Sequence, residues 1–185
     1  MEDHLKARGD KFRAAAGKAA KPPEWRSALE LPTEFVVREA RAADLMIVGG
    51  IRHPVLRDPY RCVDPGAVLL RAGRPILLVP PGVTSLAGKR IAIVEFCEPG
   101  GDASAQHHLE DVTQFLRRHG VSTACERVRP IDVTVTSSLF RFVQDDAFDL
   151  IVAGGYGHTR LGEWIFGGVT HDLLTNSPVC CLLSH

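Results

Sequence analysis

The chain carries no excess of charge of either sign: 22 Lys and Arg stand against 22 Asp and Glu, for a formal net charge of zero. A nucleic-acid-binding surface is built on a basic field, so the overall balance excludes nucleic acid as a partner recruited by charge. Acidic partners and membrane surfaces gain no support either. Also missing is any run of about 18 apolar residues, the length a membrane-crossing helix needs. The opening MEDHLKARGDKFR is charged where a secretory signal is apolar, so a cytoplasmic location is expected. Among the five cysteines, Cys62, Cys97, Cys125, Cys180 and Cys181, there is no C-x-x-C pair. They read as reduced thiols, not as a disulfide framework or a zinc site. Cys180 and Cys181 are neighbours that point to opposite sides of a strand, and His107 and His108 diverge on a helix, so no metal is expected. The catalytic motifs are lacking too. There is no Gly-x4-Gly-Lys-Ser/Thr, no Gly-x-Ser-x-Gly and no carboxylate pair spaced for metal-assisted phosphoryl transfer, and an enzyme is not expected.

What is present is concentrated between residues 149 and 184, DLIVAGGYGHTRLGEWIFGGVTHDLLTNSPVCCLLS. Leu150 to Ala153 is an unbroken apolar run, which suits a strand covered on both faces. Gly154, Gly155 and Gly157 interrupt it and shape a turn at its carboxyl end, the side on which open parallel sheets bind ligands. Gly167 and Gly168 follow, then Val169, Thr170, Leu173 and Leu174 at helical spacing. The amides near residues 168 to 170 form a helix start. Helix starts present unpaired N–H groups and a positive dipole end to an anion such as phosphate. His158 and Arg160 add charge beside it, or else are solvated loop residues.

The rest of the chain repeats this half. ADLMIVGG at 43 to 50 returns as FDLIVAGG at 148 to 155, an offset of 105. RPILLVPP at 74 to 81 returns as SPVCCLLS at 177 to 184, an offset of 103. The helical stretch 4 to 17 is echoed at 108 to 120, and PEWRSA at 23 to 28 by ACERVR at 124 to 129. Two repeats follow, 1 to 81 and 90 to 185, joined by a linker at 82 to 89. In the first, helices are expected at 3–16, 32–42 and 66–72 and strands at 24–29, 44–48 and 75–79. In the second, strands are expected at 91–96, 123–128, 150–153 and 178–183, separated by helices. The fold class is α/β, with mostly parallel sheets, flanking helices and right-handed crossovers.

The spacing Gly154-x2-Gly157-x9-Gly167 resembles the G-x2-G-x9-G(S/T) signature of the universal stress protein family, whose domains are adenine nucleotide alpha hydrolase-like. The resemblance implies ATP or AMP as ligand, a stress-response role, and Gly154, Gly157, His158, Arg160, Gly167, Gly168 and Thr170 as the nucleotide-binding set. Gly168 stands where the family carries a hydroxyl residue, with Thr170 two positions on. The first repeat departs further, since Arg52 replaces the second glycine of its pair. The family's first strand ends in an aspartate that approaches adenine. Here each repeat is shortened by its first strand and helix, and no aspartate follows 91–96 in that place. Under the resemblance, Ile91–Phe96 is expected to move beside Leu150–Ala153. The last strands of the two repeats, Ile76–Val79 and Val179–Leu182, are expected to meet as an internal pseudo-dimer, with a homodimer through the same edges as the competing arrangement. A nucleotide-free interaction or dimerisation module with this fold is the alternative function.

Overall fold

The structure, a computed structural model, describes residues 2–17, 23–50, 58–88, 90–97, 101–122, 125–131, 133–155 and 168–185. In chain order the elements are α1 (Glu2–Ala16), α2 (Pro32–Glu39, continued by a 3-10 turn at Ala40–Ala42), β1 (Met46–Gly49), α3 (Pro65–Arg71) and β2 (Ile76–Val79). The second half follows with β3 (Ala92–Cys97), α4 (Asp102–Arg118), β4 (Cys125–Pro130), α5 (Val135–Asp145), β5 (Leu150–Gly154), α6 (Gly168–Asn176) and β6 (Cys180–Ser184).

The helix ends follow local chemistry. Proline opens α2 and α3, where its missing N–H costs nothing. Thr134 caps α5 in a reciprocal box: its hydroxyl accepts from the Ser137 amide at 3.0 Å, and the Ser137 hydroxyl accepts from the Thr134 amide at 3.2 Å. Helix α4 stops at Gly120, whose φ of 76° lets the chain turn back. There the amides of Gly120 and Val121 donate to the carbonyls of Arg117 and Leu116.

Four strands form one sheet in the order β1-β2-β6-β5. β1 runs parallel to β2, β5 runs parallel to β6, and β2 meets β6 antiparallel at the centre. The two parallel pairs share one register 105 positions apart, since Met46 faces Ile76 and Ile151 faces Cys181. The central pairing sets Leu77 against Leu182, themselves 105 positions apart, so the sheet reads the same from either half. The offset of 103 expected for the last strands is therefore corrected to 105. A slip of two residues keeps every side chain on its face of a strand, so alternation alone does not separate the two alignments.

Across this sheet, Met46, Ile76, Leu183 and Ala153 form one row and Val48, Leu78, Cys181 and Ile151 the next. Both rows face the helices, and the core joins them to Val68 and Leu69 of α3, Phe142 and Val143 of α5, and Leu173 and Leu174 of α6. Ile76 and Leu183 have no exposed surface. Burying side chains of this size stabilises by about 1.5–3 kcal/mol each, and because the rows cross the β2–β6 seam, the gain is common to both halves. On the opposite face lies the row Ile47, Leu77, Leu182 and Val152, whose outer members are each 69% exposed.

Two expectations are overturned. Residues 24–29 form no strand. And β3 does not lie beside β5 in a ladder. It pairs in parallel with β4 along its whole length, in a separate two-stranded sheet. Its start is tethered instead: the Arg90 guanidinium lies over the Phe148 ring and donates to the Asp146 carbonyl at 2.8 Å. Ala92 and Val94 then pack against the shared core. Helix α4 covers this small sheet, with Ala105, Leu109 and Thr113 buried beneath it.

Candidate functional site

The apolar run at 150–154 is β5, and its carboxyl end carries the glycines. Strand amides alternate in direction. The Gly155 amide donates to the Ser184 carbonyl at 2.6 Å, continuing the β5–β6 ladder. By alternation the amides of Val152 and Gly154 point away from β6. Gly154 is exposed, with open space where a Cβ would stand. Gly155 is buried for a different reason: a Cβ there would lie 2.5 Å from Leu69 Cδ2, and Leu69 is itself 1% exposed. This glycine is required for packing α3 against the end of β5. Its carbonyl is also engaged, by His185 Nδ1 at 3.2 Å.

Gly168 is the first residue of α6 and is exposed, again with open space at the Cβ position. Thr170 lies two residues in, within the first turn, and is 6% exposed. Gly157, His158, Arg160 and Gly167 lie outside the described residues, as do Trp164 and Phe166. Of the sequence-derived set, the structure therefore describes Gly154 at the end of β5, and Gly168 and Thr170 at the start of α6.

The corresponding lip of the first half can be followed through the common register. The Gly50 amide donates to the Val79 carbonyl at 2.7 Å, matching Gly155 and Ser184 in position and role. Helices α3 and α6 end at Arg71 and Asn176, again 105 positions apart, and bury the matching pairs Val68–Leu69 and Leu173–Leu174. At the start of α3, however, Asp64 accepts hydrogen bonds from the amides of Gly66 at 2.9 Å and Ala67 at 3.3 Å. A carboxylate already neutralises that helix start. Counted 105 positions on, Asp64 falls at Val169, which is already the second residue of α6 because that helix starts two residues earlier in the shared register; the residue before α6, Gly167, lies outside the described residues. Sequence reading missed this contrast, although Asp-Pro-Gly at 64–66 is a recognisable capping signal.

Other groups around the site play structural parts. The Asp149 carboxylate, at the entrance to β5, accepts from the amides of Ala87 at 2.5 Å and Gly88 at 3.0 Å. Those backbone donors hold its carboxyl below the usual carboxylate range and pin the chain between the halves to β5. Burial pushes the Cys181 thiol up to about 11, so it stays protonated and packs as an apolar side chain. Among the described residues no group of His, Cys, Asp and Glu is arranged to hold a metal ion, and no helix is long and apolar enough to cross a membrane.

A mostly parallel sheet flanked by helices, its strands and helices alternating along the chain, defines a universal-stress-protein-like α/β fold. The particular likeness is to the crystal structure of a universal stress protein from Archaeoglobus fulgidus DSM 4304. The TM-score is 0.67 at 14% identity, over 99% of this chain and 78% of that one. At that identity the likeness establishes the fold. No protein-family model matches the sequence, and no curated protein matches it.

Proposed function

We propose that the chain is a cytoplasmic, non-enzymatic stress-response protein of tandem universal-stress-protein-like repeats, 1–81 and 90–185, whose second repeat binds ATP or AMP. The lip between Gly154 and Thr170 receives the phosphates, with Gly157, His158, Arg160 and Gly167 completing it. One observation carries this reading: the start of α3 is occupied by the chain's own Asp64 carboxylate, whereas α6 opens on the exposed Gly168, with Val169 next. An external anion suits a helix start that no carboxylate of the chain already occupies. Both Gly154 and Gly168 leave room for a ligand to approach the backbone.

The proposal is tested by titrating ATP into the full chain in a calorimeter, beside the variant Gly157→Leu. Saturable one-site heat that the substitution removes supports it. Well-folded protein giving no heat points to the second reading, a nucleotide-free interaction module. What favours that second reading is Gly155, whose amide and carbonyl are both engaged within the protein. Under either reading, β2 and β6 are interior strands with partners on both sides. That favours self-association inside one chain over a homodimer through the same two strands.

A further inference from the structure

Helix α4 turns Ala105, Leu109 and Thr113 down onto the small sheet of β3 and β4, and its other residues, Leu116 apart, are exposed. Two large apolar side chains stand on that exposed surface: Val112, 47% exposed, and Phe115, 58% exposed. His108, Val112, Phe115 and His119 follow at steps of four, three and four. Those steps keep side chains in one stripe along a helix, and they are the steps of the seam by which two helices pack. The outer end of the stripe is braced. The His119 ring lies 4.4 Å from the Phe115 ring, centroid to centroid, and His119 Nδ1 is 2.9 Å from the Phe115 carbonyl oxygen. A ring already held on the surface loses little freedom when a partner packs against it.

The charges beside the stripe indicate which partner. Along one flank stand Asp111 and Arg118, seven residues apart and both exposed. Asp111 has only a loose contact with His107, at 3.8 Å, and Arg118 makes no ion pair with another described residue. Two copies of α4 laid antiparallel, with Phe115 facing Phe115, set Val112 opposite the partner's His119. The same alignment sets Asp111 opposite the partner's Arg118, to within one residue, and the two-fold axis makes that pairing twice. A parallel alignment would instead set Asp111 against Asp111 and Arg118 against Arg118. The stripe and its flank are therefore complementary to themselves read backwards, which is what an interface between two identical subunits requires.

We infer that α4 is a dimerisation surface, on which a second copy of this chain packs antiparallel through Val112 and Phe115, with Asp111 and Arg118 paired across the axis. The overlap is confined to the second half of the helix, so the dimer is of the weak, reversible kind and assembles in the micromolar range. It uses no residue of the nucleotide site and leaves β2 and β6 paired within each chain.

The test is sedimentation equilibrium of the full chain without nucleotide, over a wide range of concentration. A reversible monomer–dimer equilibrium is expected. Phe115→Glu should weaken it by about tenfold or more, since each dimer loses the central aromatic contact from both sides. Val112→Glu should act in the same direction and stands in should Phe115→Glu not fold. Asp111→Lys and Arg118→Glu should each weaken the dimer by about tenfold, because each sets like charges together twice. The double reversal, Asp111→Lys with Arg118→Glu, should restore it. All four side chains are exposed, so the thermal midpoint of dilute protein should stay that of the parent. A parent chain that is monomeric throughout overturns the inference. So does a dimer that Phe115→Glu and Val112→Glu leave intact, which would place the interface elsewhere. A dimer that the single reversals weaken and the double reversal does not restore lacks the Asp111–Arg118 pairing and overturns it too.

Discussion

At the carboxyl end of β1 the following helix, α3, is capped by the carboxylate of Asp64; at the carboxyl end of β5 the following helix, α6, starts two residues earlier in the shared register, with the exposed Gly168 first and Val169 at the position 105 beyond Asp64. The scaffold beneath the two sites agrees. The strands share a register, the helices bury matching pairs, and Gly50 and Gly155 each hand their amide to the last residue of the neighbouring strand. Under the proposed function, what distinguishes the nucleotide-binding lip is local to it, on a scaffold that both halves share, and is not a matter of the fold.

The comparison supposes a scaffold held in common, and the largest effect should come from breaking it. Leu183 is fully buried in the row that crosses the central seam. Leu183→Ala should cost about 2–5 kcal/mol. Because the core is shared, circular dichroism and tryptophan fluorescence should report one coincident urea transition; two separated transitions would mean the halves are energetically independent. Next in size is Gly155→Ala. Its Cβ meets a Leu69 that is 1% exposed and has no solvent side to swing toward, so a loss of about 1–3 kcal/mol is expected. Gly154→Ala meets nothing and should cost far less by the same urea assay.

Smaller still is the cap that distinguishes the lips. Asp64→Ala should destabilise by about 1 kcal/mol, read as a shift in the urea midpoint. The smallest expected effect is the tie between halves. The carboxyl of Asp149 is held below its ordinary range, so its contribution is present above the unfolded pKa and fades as pH falls through the folded one. Stability measured from about pH 5 down to about pH 2 should therefore fall more steeply in the parent than in Asp149→Asn. Equal slopes would show that the Ala87 and Gly88 contacts contribute nothing.

Most of the architecture was legible in the sequence because strands and helices here carry clean periods and recognisable ends: Pro32, Thr134 and Gly120 each mark a boundary the structure keeps. What was not legible depended on partners. Residues 24–29 alternate like a strand, yet without a neighbour to pair with they remain irregular. The place of β3 turned on tethers from Arg90 to Phe148 and Asp146, contacts that no periodicity encodes. At the candidate site the glycines stood out as a group, but sequence could not divide them. Gly155 is small to admit Leu69, while Gly154 and Gly168 face open space. The cap at Asp64 was within reach of sequence reading, whereas the earlier start of α6 in the shared register became visible only once that register was corrected.

The most direct test places a carboxylate in the first turn of α6, 105 positions beyond Asp64. ATP titrated into the parent chain and into Val169→Asp, each with its thermal midpoint recorded, should give saturable one-site heat in the parent and none in the variant, with the midpoint unchanged or raised. Binding that survives the new carboxylate, or a parent chain that gives no heat, would contradict the account.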